Sequence, residues 1–144
     1  MEFRDNEPIY LQIAGYVSDN ILRQLWPPDD KIPSVRELAG ELQVNPNTVM
    51  RTYEYLQNQG IVYNKRGIGF FVAPEAGQQV QQLRRARFLE QELPELFKTI
   101  SLLDISLAEL EQRYAQFRAA QPAPAAAPTL GPPATPISNG HENQ

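Results

Sequence analysis

Cysteine is missing from all 144 residues, and the one histidine is His141, near the carboxy-terminal end. A disulfide framework, a thiolate metal cluster and a thiol nucleophile are thereby excluded, and histidine-based catalysis has almost nowhere to sit. Long apolar runs are also lacking. No stretch approaches the roughly 20 apolar residues that span a bilayer, and the opening MEFRDNEP has neither the basic nor the apolar segment of a signal peptide. These absences predict a cytoplasmic protein with no membrane partner, no metal and no cofactor. The third thing missing is an excess of positive charge. The net charge is -4, with 7 basic against 9 acidic side chains in residues 1–74 and 6 against 8 in residues 75–144. Chains that coat nucleic acid without sequence preference are usually basic overall, so any DNA contact here must use a local patch.

What is present fills one ordinary domain, or a small domain of about 70 residues with an appendage. Pro8 suits a first helical turn, and Ile9, Ile13, Val17, Ile21 and Leu25 follow at spacings of four, predicting a helix closed by Trp26, Pro27 and Pro28. After the loop PPDDKIP, Ser34-Val-Arg-Glu37 reads as a capping box opening a short helix over about 35–42. Asn45-Pro46 is an N-cap followed by a proline whose missing amide costs nothing; that helix runs to about Gln59 and stops at Gly60. Two capped helices about three residues apart, the first only two turns long, predict a helix-turn-helix. The stretches IVYN and FFVA around the turn KRGIG predict a β-hairpin.

Residues 78–118 change character. Ala86, Leu89, Leu93, Leu96, Ile100, Leu103, Leu107, Leu110, Tyr114 and Phe117 alternate spacings of three and four, a seam that normally meets another helix. Pro94 interrupts it, and Ser106-Leu-Ala-Glu109 is a second capping box after a break at Asp104-Ile105. The expectation is a helix over about 79–103, bent near Pro94, then a shorter one over about 107–118. The dimerisation set is Leu89, Leu93, Leu96, Ile100, Leu103, Leu107, Leu110 and Tyr114. From Ala120 onward, AQPAPAAAPTLGPPATPISNGHENQ holds six prolines and almost no large apolar residue, which predicts a disordered tail.

In a helix-turn-helix the second helix enters the major groove and its amino-terminal residues meet base edges. On the helix from Pro46, Val49, Tyr53 and Leu56 share a core-facing side, with Asn47 and Arg51 opposite and Thr48 beside them. Asn can pair with adenine in two bonds, Arg with guanine, and Thr can take a phosphate or a thymine methyl group. Lys65 and Arg66, next to Gly67 at the hairpin tip, can reach phosphates or a minor groove. Arg36 can point at the DNA backbone or pair with Glu37 or Glu41.

The string KIPSVRELAGELQVNPNTVMRTYEYLQNQGIVYNKRGIGFFV closely resembles the winged-helix domain of the GntR family of bacterial regulators. PIYLQI at the start, and VNPNTV ahead of the basic Arg51, look like its YtrA-type subfamily. The resemblance spans roughly residues 8–73. It implies that Arg36, Asn47, Thr48, Arg51 and the wing residues around Gly67 contact operator DNA; the full candidate set is Ser34, Arg36, Asn45, Asn47, Thr48, Arg51, Lys65, Arg66, Gly67 and Gly69. ISLAEL resembles the start of the last helix of the subfamily's two-helix dimerisation region. Many GntR proteins carry Arg where this chain has Met50, and QLWPPDD lacks the glycines usual between the first two helices.

The expected fold is therefore mainly α with a small β-hairpin. A winged helix-turn-helix occupies residues 1–75, a two-helix dimerisation segment 76–119 and the tail 120–144. The function implied is a homodimeric, sequence-specific repressor acting on an inverted-repeat operator in double-stranded DNA, with a transport-related target as in YtrA-type relatives. The segment after the wing is far shorter than the ligand-binding domains of most GntR regulators, which argues against a deep effector pocket inside one subunit and leaves the effector unknown. A second class of reading is a winged helix that binds protein, using Tyr55, Phe70 and Phe71 as exposed aromatics. The weakest is an enzyme built on Glu90, Glu92 and Glu95, which read as a solvated helix face.

Overall fold

A computed structural model describes residues 1–122; the predicted tail lies outside the described residues except for its first three. The elements run α1 (Ile9–Leu22), α2 (Val35–Leu42), α3 (Pro46–Asn58), β1 (Val62–Lys65), β2 (Gly69–Val72), α4 (Ala76–Arg87), a π-helical turn (Phe88–Glu92), α5 (Leu93–Leu102) and α6 (Leu107–Ala120). The chain divides into two compact units, one from Met1 to Lys98 and one from Thr99 onward. The mainly helical architecture with one antiparallel hairpin is the one expected.

In the first unit, α1 places Ile13, Val17 and Ile21 in the core on successive turns. It ends earlier than the apolar spacing suggested. Gln24 adopts a left-handed φ of 58° and the amide of Leu25 turns back to Asn20 O at 3.0 Å, so Leu25 leaves the helix and stays exposed. Buried Gln12 braces the residues ahead of α1. Its Oε1 accepts from the Arg4 amide at 2.7 Å, while its Nε2 donates to the Arg4 carbonyl at 2.7 Å and the Glu7 carbonyl at 2.8 Å.

Both predicted caps of the helix pair are formed. Ser34 Oγ accepts from the Glu37 amide at 3.1 Å, and Asn45 Oδ1 accepts from the Asn47 amide at 2.8 Å. Between the helices Gln43 takes the left-handed turn with φ 56°. Leu38 and Ala39 of α2 share one buried core cluster with Val49, Tyr53 and Leu56 of α3. At the far end of α3, Gly60 has φ 73°, a conformation glycine adopts without strain, and the Ile61 amide closes on Leu56 O at 2.9 Å.

The hairpin pairs Val62 with Val72 and Lys65 with Gly69. The loop before α2 also joins it. Lys31 bridges to Phe71, the Ile32 amide donates to Phe70 O at 3.0 Å, and the Asp29 amide donates to Val72 O at 2.8 Å. A segment rich in proline and aspartate lacks the alternating pattern of a strand, yet pairing satisfies amides and carbonyls that would otherwise be left along the β2 edge.

The first turns of α4 complete this core rather than beginning a separate segment. Ala76 and Val80 are fully buried, and Arg84 pairs with Asp19 of α1 at 2.7 Å. The interruption expected at Pro94 takes the form of the π-helical turn at Phe88–Glu92. A proline ring clashes with the carbonyl four residues back in a regular helix, and widening the preceding turn relieves that clash without ending the helix.

In the second unit, Asp104 is left-handed with φ 53° and the Ile105 amide returns to Ile100 O at 3.1 Å, the predicted break. Ser106 Oγ then caps α6 through the Glu109 amide at 3.1 Å. No residue of α6 is buried.

Candidate nucleic-acid interface

The exposed surface of α3 follows from what its opposite face must bury. Val49, Thr52, Tyr53 and Leu56 point inward and are fully buried, leaving Asn47, Met50, Arg51 and Glu54 exposed. Two hydrogen bonds fix the helix against its neighbours. The Tyr53 hydroxyl donates to Pro33 O at 2.6 Å, immediately before the cap of α2, and Thr52 Oγ1 lies 2.9 Å from Tyr10 O of α1 and 3.0 Å from Thr48 O. Burial pushes the Tyr53 phenol well above its ordinary pKa, so it remains a donor.

Among the candidate contacts, Ser34 and Asn45 use their side-chain oxygens as caps, so their first role is to hold the amino-terminal turns of α2 and α3 in place. Arg36 in α2 and Asn47 in α3 are exposed, and Thr48 is half-buried. The Arg51 guanidinium lies 3.9 Å over the Tyr10 ring, which meets Tyr55 edge-on at 6.0 Å. Lys65, Arg66 and Gly67 form the hairpin tip, where Gly67 has φ 77° and the Ile68 amide turns back to Lys65 O at 2.9 Å. Gly69 has φ 141°, and a Cβ there would come within 3.0 Å of Lys31 Cε. Glycine therefore lets the Lys31 stem cross the wing.

Three residues of this region were missed. Lys31 adds a third cation at the wing, and it was overlooked because its loop carries no strand signal. Met50 is 41 % exposed on the outer side of α3, apolar among polar neighbours; its exposure at the helix-turn-helix surface was the available signal. Tyr10 falls between Ile9 and Ile13 in the apolar spacing of the first helix, and nothing in that spacing connects it to Arg51.

The aromatics offered for a protein-binding surface are not free. Tyr55 packs edge-on against Tyr10, Phe70 against Tyr53 at 4.9 Å, and Phe71 stacks on Tyr63 at 5.5 Å with Lys65 Nζ 4.6 Å from its centroid. Each ring is only half exposed and is in contact with another aromatic ring. Glu90 and Glu92 are exposed and Glu95 pairs with Lys98 at 3.1 Å. Among the described residues no group of three His, Cys, Asp or Glu side chains is placed to hold a metal ion, and no helix is long and apolar enough to cross a membrane.

Of the dimerisation set, Leu89, Leu96, Leu103, Leu107 and Tyr114 are exposed and Leu93, Ile100 and Leu110 half-buried. Phe88, Phe97 and Leu102 are exposed too and fall outside the predicted seam. The π-helical turn adds a phase shift that a regular heptad count does not contain.

This capped helix pair with its attached hairpin has counterparts among known proteins. The profile of the family described as "Bacterial regulatory proteins, gntR family" matches residues 9–72. A crystal structure of a GntR-family regulator from Bacteroides thetaiotaomicron is 47 % identical, with a TM-score of 0.71, and the match covers 80 % of this chain and 100 % of that one. The chain belongs to the GntR family. A GntR-family transcriptional regulator from Listeria monocytogenes is 32 % identical with a TM-score of 0.63, over 83 % of this chain and all of the other. In Bacillus subtilis, the HTH-type transcriptional repressor YtrA is 41 % identical over 73 residues, and the HTH-type transcriptional regulator YhcF is 47 % identical over 75. These two matches take in 51 % and 52 % of this GntR chain, and 56 % and 62 % of the relatives' own lengths. The winged helix-turn-helix and its helical carboxy-terminal extension are those of this family.

Proposed function

We propose that this GntR-family protein is a cytoplasmic, homodimeric repressor that binds an inverted-repeat operator and controls a transport-related operon. The observation that carries the DNA-binding part is α3: its inward face is fully buried, its amino terminus is capped by Asn45, and Asn47 and Arg51 stand on the outward face one turn apart. Arg and Asn are the side chains suited to bidentate contacts with guanine and adenine edges. In this reading Arg51 and Asn47 read bases and Met50 meets a thymine methyl group. Arg36, Lys31, Lys65 and Arg66 hold phosphates, and Thr48 takes a phosphate or a thymine methyl. Ser34, Asn45, Gly67 and Gly69 set the backbone that presents them. The DNA-binding part comprises residues 1–75 and the first turns of α4, because Ala76 and Val80 belong to its core.

Repression is inferred from the similarity to YtrA, which is named a repressor; the transport-related target rests on the YtrA-type resemblance of PIYLQI and VNPNTV. Homodimerisation is inferred from the apolar side chains that α5 and α6 leave in water. Two recognition helices related by a dyad require half-sites a whole number of helical turns apart, hence a palindromic operator.

The test starts by selecting duplexes from a randomised pool. Arg51→Ala is expected to cost about 1 to 3 kcal/mol on the selected duplex and to relax preference at one base pair in each half-site. Lys65→Ala is expected to weaken selected and scrambled duplexes alike and to lower the salt slope by about one per site. Duplex binding independent of salt and sequence would overturn the reading.

A further inference from the structure

We propose that Tyr10 is a positioning residue that sets the specificity of Arg51, an inference that rests on the base-reading role just assigned to that arginine. Tyr10 lies on α1, outside the helix-turn-helix, and its ring is the surface on which the Arg51 guanidinium rests, 3.9 Å from the centroid. An arginine on a solvent-exposed helix face ordinarily samples many rotamers and must give up that freedom when it engages a base. Stacking on an aromatic face restricts the guanidinium plane while leaving its in-plane N–H donors available, because the contact uses the π-surface and not the hydrogen-bonding edge.

Tyr10 can impose that restraint because it is itself tied to α3 at independent points. Its backbone carbonyl lies 2.9 Å from Thr52 Oγ1, in the residue after Arg51. The ring meets Tyr55 of the same helix edge-on at 6.0 Å and 80°. Tyr55 is four residues beyond Arg51, so the arginine and the tyrosine of α3 flank one ring from α1. Ile13 and Ala14, one turn further along α1, are buried, which holds the part of α1 carrying Tyr10 in place. The consequence is that the residue proposed to read a base is oriented before DNA arrives, by an element that does not belong to the recognition motif.

The proposal separates Tyr10 from an ordinary packing residue through its dependence on Arg51. With a duplex selected from a random pool by the wild-type protein, and a scrambled duplex of equal length, Tyr10→Ala should lower affinity for the selected duplex about threefold to tenfold. Binding to the scrambled duplex should change by less than about twofold, since phosphate contacts are untouched. Tyr10→Phe should keep wild-type discrimination, because the ring and not the hydroxyl carries the contact. In an Arg51→Ala background, Tyr10→Ala should add almost nothing. Should Tyr10→Ala fail to fold, as judged by thermal unfolding, Tyr10→Leu keeps bulk without a π-face and is expected to lose discrimination in the same way. Equal losses on selected and scrambled duplexes, or full additivity of the Tyr10 and Arg51 substitutions, would overturn the positioning role. A different result identifies failure of the underlying reading: if Arg51→Ala itself weakens both duplexes equally, Arg51 is not a base reader. Tyr10 is then no specificity device, though non-additive losses would still register the pair.

Discussion

The α4 helix and the α6 helix make an instructive pair. Each follows a short connection and carries spaced apolar residues, yet Ala76 and Val80 of α4 are fully buried while no residue of α6 is. Among the described residues beyond Val80 none is buried at all. Leu107 is 78 % exposed, whereas Leu56 in α3 is fully enclosed. The first region closes a core of its own; the second has the side chains of a core and, among the described residues, nothing that buries them. An apolar period therefore reports that a face will be buried and says nothing about whose atoms will bury it.

The largest expected effect that would break this contrast comes from the carboxy-terminal helices. If the chain dimerises as proposed, Leu103→Asp together with Leu107→Asp should weaken the dimer by at least about 4 kcal/mol, roughly a thousandfold, since carboxylates would be desolvated in the apolar interface. Sedimentation should then show monomers whose thermal transition retains the amino-terminal core. A double variant that stays dimeric would remove the case for this interface.

A comparison of equal truncations sharpens the contrast next. Leu56→Ala should cost about 2 to 5 kcal/mol in denaturant unfolding, through lost burial and the cavity left behind. Leu102→Ala, made in the monomeric double variant, should change stability by less than about 0.5 kcal/mol, because its side chain is already in water. Comparable losses at the two sites would mean that the second region has a core of its own.

A smaller loss than that at Leu56 tests the polar tie inside the first region. Tyr53→Phe should lower stability by about 1 kcal/mol at neutral pH through loss of the bond to Pro33 O. The phenol also makes stability depend on pH. Because the folded state holds its pKa above the ordinary 10.0, its contribution is complete below pH 10 and falls as pH rises beyond it, where only the unfolded chain ionises readily. The stability deficit of Tyr53→Phe should therefore shrink above pH 10; a deficit that stays constant with pH would place the loss in packing instead.

Much of the fold was legible because it depends on local chemistry. Ser34, Asn45 and Ser106 announce helix starts through oxygens that accept from amides two or three residues on, and Gly60 and Gly67 mark turns through positive φ. The candidate contacts on α3 were legible for a related reason, since Val49, Tyr53 and Leu56 define the inner face and leave Asn47 and Arg51 outside. What escaped involves residues far apart in the chain. Lys31 crossing Gly69, Tyr10 beneath Arg51, and α4 completing the amino-terminal core each pair positions separated by tens of residues, and no local period encodes which partner is met.

The amino-acid sequence by itself determined where the side-chain-capped helices begin, which face of α3 is apolar, where the hairpin turns and that the chain resembles the GntR winged helix, because capping, periodicity and turn chemistry act over a few neighbouring residues. Only the tertiary structure decided that a proline-rich loop becomes a sheet edge and that the Pro94 irregularity is a π-helical turn. It also decided that Arg51 lies on an aromatic ring, since each of these depends on close packing between segments distant in the chain.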